Sequence, residues 1–213
     1  MTADARLPRP RVPRGLTRCR WCALPVDHCM CAELPRIAVR TRVVIVMHHA
    51  ERRKTSNTAR LVAGSLVGAE IRVRGLLDDA ARAPLPEGRR LLLYPSEDAT
   101  TLGPEHAGPN VVLLVPDGNF RQAQRATKRD GDLLGAEPIQ LAAGPPSRYL
   151  LRRAAAPGLL STIEAVARAL AVLEGPEPAS QLEAVFDQFL SRSLAVSGNK
   201  AALFRLGLPS ERR

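Results

Sequence analysis

The sequence predicts an α/β fold in which a mostly parallel sheet is flanked by helices and joined to a small cysteine-rich segment at its N-terminus. Two observations lead there. Short uninterrupted apolar runs, rich in β-branched residues, alternate along the chain with segments of helical period, as strands buried on both faces by helices do. All four cysteines, moreover, fall between Cys19 and Cys31, outside that alternation. With 213 residues, 45% of them hydrophobic, the chain can bury one substantial core but not two equal ones.

The elements follow in order. Residues 1–17 carry Arg and Pro but no apolar stretch, which predicts a basic disordered tail rather than a secretory signal. Residues 18–36 form the cysteine segment, 37–196 the α/β domain and 197–213 a C-terminal tail. Within the domain, RVVIVMHH at Arg42 to His49 reads as a buried strand, and the run from Thr55 through SNTARLVAGSLVG as a helix with Ala59, Leu61, Val62 and Leu66 near helical spacing. Ile71 to Val73, Arg90 to Tyr94, Val111 to Val115 and Pro138 to Leu141 are further strand candidates. A basic helix, FRQAQRATKRD, follows Pro116-Asp117-Gly118. Leu160 to Leu173 and Gln181 to Leu194 read as amphipathic helices, the second set off by Gly175-Pro176 and Ser197-Gly198. The Pro/Gly stretches at 84–88, 103–109 and 144–146 read as loops.

Charge narrows the choice of partner. Lys and Arg total 31 against 21 Asp and Glu, a formal net charge of +10, which suits a phosphate-bearing ligand; an arginine-rich, GC-rich genome would give the same excess. Charged residues interrupt every apolar run before the roughly 18 residues that a membrane span needs. A cytoplasmic protein without a membrane partner is therefore expected, and a monomer is the default state.

Cys19-x-x-Cys22 followed by Cys29-x-Cys31 can bring four thiolates together tetrahedrally around Zn²⁺. Such a site is closed, hence structural, and would staple the N-terminal segment to the domain. The second pair is one residue tighter than Cys-x-x-Cys, which leaves a redox role or unliganded thiols as alternatives; His28 could replace one cysteine. Disulfides are disfavoured, since nothing directs the chain to an oxidising compartment. Trp21, the one tryptophan, either packs on the core or stacks on a base.

Three segments place polar residues at strand ends or helix starts, where open α/β sheets bind their ligands: His48 to Arg60, Pro116 to Arg125 and Arg148 to Ala165. Asp117 follows the VVLLV strand directly, a general-base position, although Asp-Gly is also a plain turn pair. Ser161-Thr162-Ile163-Glu164 fits a capping box as well as a binding motif. Asn57 and Thr58 have the same double reading, and Arg52-Arg53-Lys54 is equally a solvated face.

Taken together and in this order, the cysteine cluster, Asn57-Thr58-x-Arg60, the strand leading to Asp117-Gly118 and an Arg-Gln-Ala helix, and Ser161-Thr162-x-Glu164-Ala165 resemble the DTW-domain family over Cys19 to about Leu194. The resemblance implies a tRNA-uridine aminocarboxypropyltransferase with a SPOUT-like fold and a C-terminal trefoil knot. S-adenosylmethionine would be the donor, tRNA the acceptor and 5'-methylthioadenosine the by-product. Asp117 would be the catalytic base. Asn57, Thr58, Gly118, Asn119, Ser161, Thr162 and Glu164 would hold the donor. Phe120, Arg121, Arg125, Arg52, Arg53, Lys54 and Arg152 would hold the RNA, with Lys128 and Arg129 adding phosphate contacts. The helix start at Ser161-Thr162, Arg121 and Arg152 are the candidates for the donor's carboxylate. Where the family has Asp-x-Thr-Trp, this chain has Asp117-Gly118-Asn119-Phe120. The competing readings are a non-catalytic zinc-containing RNA-binding module, which needs no donor, and a SPOUT-like RNA methyltransferase, which would release S-adenosylhomocysteine.

Overall fold

A computed structural model describes residues 17–75, 83–149, 151 and 160–208. Among them six strands form one sheet in the order β2-β1-β5-β3-β6-β4, with every neighbouring pair parallel. The strands are β1 (Arg42–His48), β2 (Glu70–Arg74), β3 (Arg89–Leu93), β4 (Thr100–Thr101), β5 (Val111–Asp117) and β6 (Glu137–Gln140). The helices are α1 (Ala59–Ser65), α2 (Phe120–Arg129), α3 (Thr162–Leu173), α4 (Pro176–Val196) and α5 (Lys200–Arg205).

Alternation along the central strands explains why those runs are apolar without interruption. Val43, Ile45 and Met47 of β1, Leu91 and Leu93 of β3, and Val111, Leu113 and Val115 of β5 join the large core beneath α1, α3 and α4. The residues between them, Val44, Val46, Leu92, Val112 and Leu114, pack on the other face with Ala126 and Leu133, in and after α2. Both faces of each strand are covered, so the period-two signal vanishes into a continuous apolar run.

Several boundaries differ from expectation. The helix expected from Thr55 begins at Ala59, because His49–Arg53 first makes a 3-10 turn. α4 starts at Pro176, not Gln181: Pro176 occupies its first turn, where a missing N–H costs nothing, and Gly175 takes a φ of 101° just before it. The expected C-terminal tail contains α5, capped by the Asn199 side chain, which accepts from Ala202 N at 3.1 Å. β4 is two exposed residues and had no apolar pattern to announce it. Residues 1–16 of the expected basic tail lie outside the described residues, as do 150 and 152–159. Among the described residues no helix is long and apolar enough to cross a membrane.

The helices that follow β1 and β5 diverge: α1 packs on one face of the sheet and α2 on the other. Adjacent strands whose helices leave to opposite faces open a crevice at their carboxyl ends, the usual ligand position in an open parallel sheet. Asp117 closes β5 at that crevice.

Candidate functional site

A cavity of about 560 Å³ occupies the carboxyl edge of the sheet. Its floor is Leu93, Tyr94 and Pro95 after β3, and Val115, Pro116, Asp117 and Gly118 at the end of β5. One wall is the start of α2 with Phe120 and Ala123; the other is the loop from Leu141 to Pro146 and the face of α3 carrying Thr162, Ala165 and Arg168. The lining is predominantly apolar, with a few convergent polar groups, as small-molecule sites are.

Asp117 is 7% exposed, and both carboxylate oxygens are held. The Asn57 amide donates to Oδ2 at 2.6 Å and the Thr162 hydroxyl to Oδ1 at 2.5 Å. Three chain segments far apart in sequence thus converge on one carboxylate: the approach to α1, the end of β5 and the first turn of α3. Thr58 ties the same segments together, its hydroxyl accepting from the Ile163 amide at 3.3 Å. The Tyr149 hydroxyl donates to the Ser56 carbonyl, next to Asn57. No local pattern marked Tyr149, whose partner is 93 residues away.

The other residues expected to hold the donor are occupied within the protein. Glu164 is buried, and its carboxylate accepts from the Ser161 amide (2.9 Å), the Ser161 hydroxyl (2.6 Å), the Ser147 hydroxyl (2.7 Å) and the Arg148 amide (2.8 Å). The capping-box reading of Ser161-Thr162-Ile163-Glu164 therefore describes the local geometry, with the 147–148 segment tied into it. Asn119 is likewise the N-cap of α2: its side chain accepts from Gln122 N at 2.9 Å, and Gln122 Oε1 accepts from Asn119 N at 2.8 Å. Gly118 lines the cavity because a side chain there has no room, its Cβ falling 2.9 Å from Gln122 Cβ.

Phe120 is 46% exposed at the cavity wall, with its ring 6.3 Å from that of Tyr94. Burial pushes the Tyr94 phenol above its ordinary value. Arg121 and Arg125, with Lys128 and Arg129, are exposed along α2 and do not line the cavity. Arg52 and Arg53 line a second depression with His49 and Ala50. Lys54 pairs with buried Glu51. Burial, and then neighbouring His49, hold His48 below the usual imidazole value, which favours its neutral form. Arg152 lies outside the described residues. Arg168, which sequence reasoning missed, lines the cavity because it continues the three-residue spacing of Thr162 and Ala165 along α3.

The four cysteine sulfurs lie within 4.8 Å of one another, with Cys19 and Cys31 at 3.6 Å and Cys22 and Cys29 at 3.8 Å. Tetrahedral thiolates at about 2.3 Å from zinc stand about 3.8 Å apart, so the donor set fits that ion. The thiols differ in acidity. Burial raises Cys19, but the Cys22 and Trp21 backbone groups and the neighbouring thiols outweigh it and bring it to about 6, whereas burial and the Cys19 thiol push Cys31 up. The segment is continuous with the main core through Cys22, Leu24 and Met30. Arg192 of α4 clamps it, donating to the Cys29 carbonyl at 2.8 Å and to the Glu33 carboxylate at 2.7 Å. Trp21 packs over Gly64 of α1, where a Cβ would meet its indole nitrogen at 2.9 Å.

The sequence has relatives among known proteins. The model of the DTW domain matches residues 16–194. The tRNA-uridine aminocarboxypropyltransferase 2 of Drosophila melanogaster is 33% identical over 174 residues, covering 76% of this chain and 68% of that protein. The proteins of the same name from Macaca fascicularis and Mus musculus are each 28% identical over 170 residues, covering 73% of this chain and 56% of theirs. This chain thus spans little more than half the length of those two mammalian relatives. Among solved structures, the SAM-dependent rRNA:acp-transferase Tsr3 from Vulcanisaeta distributa is similar with a TM-score of 0.46 and 19% identity, covering 78% of this chain and 90% of that one.

Proposed function

The chain belongs to the DTW-domain family, and from that premise we propose that it is a tRNA-uridine aminocarboxypropyltransferase. It moves the 3-amino-3-carboxypropyl group of S-adenosylmethionine onto the ring imide nitrogen of a tRNA uridine and releases 5'-methylthioadenosine. The observation that carries this reading is the buried Asp117 carboxylate, fixed by Asn57 and Thr162 in the wall of the sheet-edge cavity.

The acceptor nitrogen is protonated at neutral pH and attacks only when its proton is withdrawn. Asp117 takes that proton as the nitrogen–carbon bond forms. S-adenosylmethionine supplies a positively charged sulfur that departs as the neutral thioether once its bond to the γ-methylene breaks. Asn57 and Thr162 aim the carboxylate, since each donates to one of its two oxygens. Both were expected to hold the donor; in this reading their hydrogen bonds to Asp117 make them supports of the base. Phe120 and Tyr94 offer aromatic faces on which a pyrimidine can rest. Arg121, Arg125, Lys128 and Arg129 on α2, with Arg52 and Arg53, supply phosphate contacts that position the RNA without reading its sequence. Cys19, Cys22, Cys29 and Cys31 would hold a zinc ion, which would take no part in the transfer and would tie the N-terminal segment together beside α4.

Mass spectrometry of tRNA nucleosides after incubation with the pure protein and S-adenosylmethionine tests the reading. The expected product is 3-(3-amino-3-carboxypropyl)uridine, with methylthioadenosine in equal amount. S-adenosylhomocysteine would instead mark a methyltransferase, and no donor consumption a binding module. Asp117→Ala should bind tRNA and form no product; full turnover by that variant would remove Asp117 from the chemistry.

A further inference from the structure

Arg168 is the only basic side chain among the described residues that line the cavity. It is half-buried, and its one hydrogen bond among the described residues goes to the Pro145 carbonyl at 2.5 Å, from Nη2. No carboxylate of the described residues pairs with it. Its Nη1 lies 3.0 Å from where a Cβ on Gly144 would stand, so the absence of a side chain at Gly144 is what lets the guanidinium lie against the 142–146 loop. A guanidinium in a largely apolar wall, with most of its five N–H groups unengaged by the described residues, favours an anionic partner.

Some of the other anion-binding groups near the cavity are occupied. At the start of α3 the Ser161 amide is held by Glu164 and the Ile163 amide by Thr58. At the start of α2 the Asn119 and Gln122 amides are engaged in their reciprocal cap. Arg121 is exposed and outside the cavity. The caps thus use part of the donor capacity at each helix start, whereas Arg168 is the one lining side chain among the described residues that brings a full positive charge. It stands about 9 Å along the α3 axis from Thr162, the residue that holds Asp117, so the cavity carries its fixed negative charge at one end of this stripe and its positive charge at the other.

On the basis of the function proposed above, we propose that Arg168 receives the α-carboxylate of the donor's aminocarboxypropyl arm. Anchoring that carboxylate directs the arm along α3 and presents the γ-methylene, rather than the methyl, to the nucleophile beside Asp117. Arg168 is thus a determinant of which of the three carbons on the sulfonium is transferred. A backbone phosphate of the RNA is the competing anion; the position of Arg168 within the wall, behind the loop it bonds, favours the small-molecule carboxylate.

The test is calorimetric, on the full chain, with three probes: S-adenosylmethionine, its decarboxylated analogue and 5'-methylthioadenosine, which lacks the arm. The unaltered protein should bind S-adenosylmethionine about 10- to 100-fold more tightly than the decarboxylated analogue, the range for a charge-assisted hydrogen-bonded contact. Arg168→Ala should abolish that discrimination and leave methylthioadenosine affinity within about two-fold. Arg168→Gln retains an amide donor for the Pro145 carbonyl and should lose discrimination equally, which separates charge from loop support. An equal fall in methylthioadenosine affinity in both variants would reduce Arg168 to a prop for the loop. Persistent discrimination in Arg168→Gln would place the carboxylate elsewhere, and lost tRNA affinity with donor binding unchanged would assign it to a phosphate; either overturns the proposal. If the unaltered protein binds none of the three probes, the parent reading itself falls.

Discussion

The cysteine segment and the carboxyl edge of the sheet both gather reactive groups, but they assemble them in opposite ways. Cys19, Cys22, Cys29 and Cys31 come from thirteen consecutive positions, and their sulfurs face one another. Asn57, Asp117 and Thr162 come from three segments, the first and the last 105 positions apart, and meet only because the approach to α1, the end of β5 and the start of α3 are neighbours in space. The local cluster can form before the fold and supports it; the dispersed one exists only once the fold is complete. Damage to the first should register in stability, and damage to the second in chemistry.

Asp117→Asn should sharpen that contrast most. The isosteric amide keeps the volume and can still meet Asn57 or Thr162, but it cannot take a proton, so product formation should fall about 100- to 10,000-fold, the range for a lost general base. The thermal midpoint should move little. Single-turnover nucleoside analysis and a melting curve, run side by side, read both halves of the expectation.

Cys22→Ser tests the other region. Cys22 is buried in the main core as well as in the thiol cluster, so its loss removes a metal ligand and leaves a hydroxyl among apolar neighbours. A destabilisation of about 3 kcal/mol or more is expected from those combined losses, together with loss of zinc by metal analysis. The fraction that stays folded should keep its turnover number. A normal midpoint with lost turnover would reverse the assignment of the two regions.

Glu164→Ala is the case that cuts across the comparison, because the residue sits on the helix that holds the base yet has a structural task. Truncation leaves the buried Ser161 amide and the part-buried Arg148 amide without their acceptor, a loss of about 1–3 kcal/mol for a fully buried donor and less for a partly solvated one. Folding stability should drop by about 2–4 kcal/mol on that basis, measured by urea denaturation. Loosening of the 147–149 segment should raise the donor KM more than it lowers kcat.

The same distinction explains what the sequence made legible. The central strands announced themselves because burial on both faces left no polar residue within them, and the cysteines did so by spacing. Asp117 was visible because it ends one of the two longest such runs. Its supports were seen as polar residues near helix starts, but their roles were not: the same Ser, Thr, Asn and Glu chemistry that caps a helix also binds a ligand, and only tertiary contacts show that Glu164 and Asn119 cap whereas Asn57 and Thr162 reach the carboxylate. Arg168 gave no signal at all, since an arginine in an amphipathic helix reads as a solvated position until the 142–146 loop is placed over it. β4 and α5 were missed for the simpler reason that two exposed threonines and a six-residue helix carry too little pattern.

The smallest effect expected is the most informative about the family's signature. At the position where relatives have threonine, Asn119 accepts from Gln122 N as the N-cap of α2. Asn and Thr both perform that task, with Asn slightly the better, and their difference is a few tenths of a kcal/mol. Asn119→Thr should therefore change stability by less than about 0.5 kcal/mol and leave turnover within about two-fold, because a capping side chain contributes to the helix that frames the cavity and not to the chemistry beside Asp117. If that substitution instead raised turnover ten-fold at unchanged stability, a threonine hydroxyl at this position would be contacting substrate, and the boundary drawn between framing and reacting groups at the end of β5 would have to move by two residues.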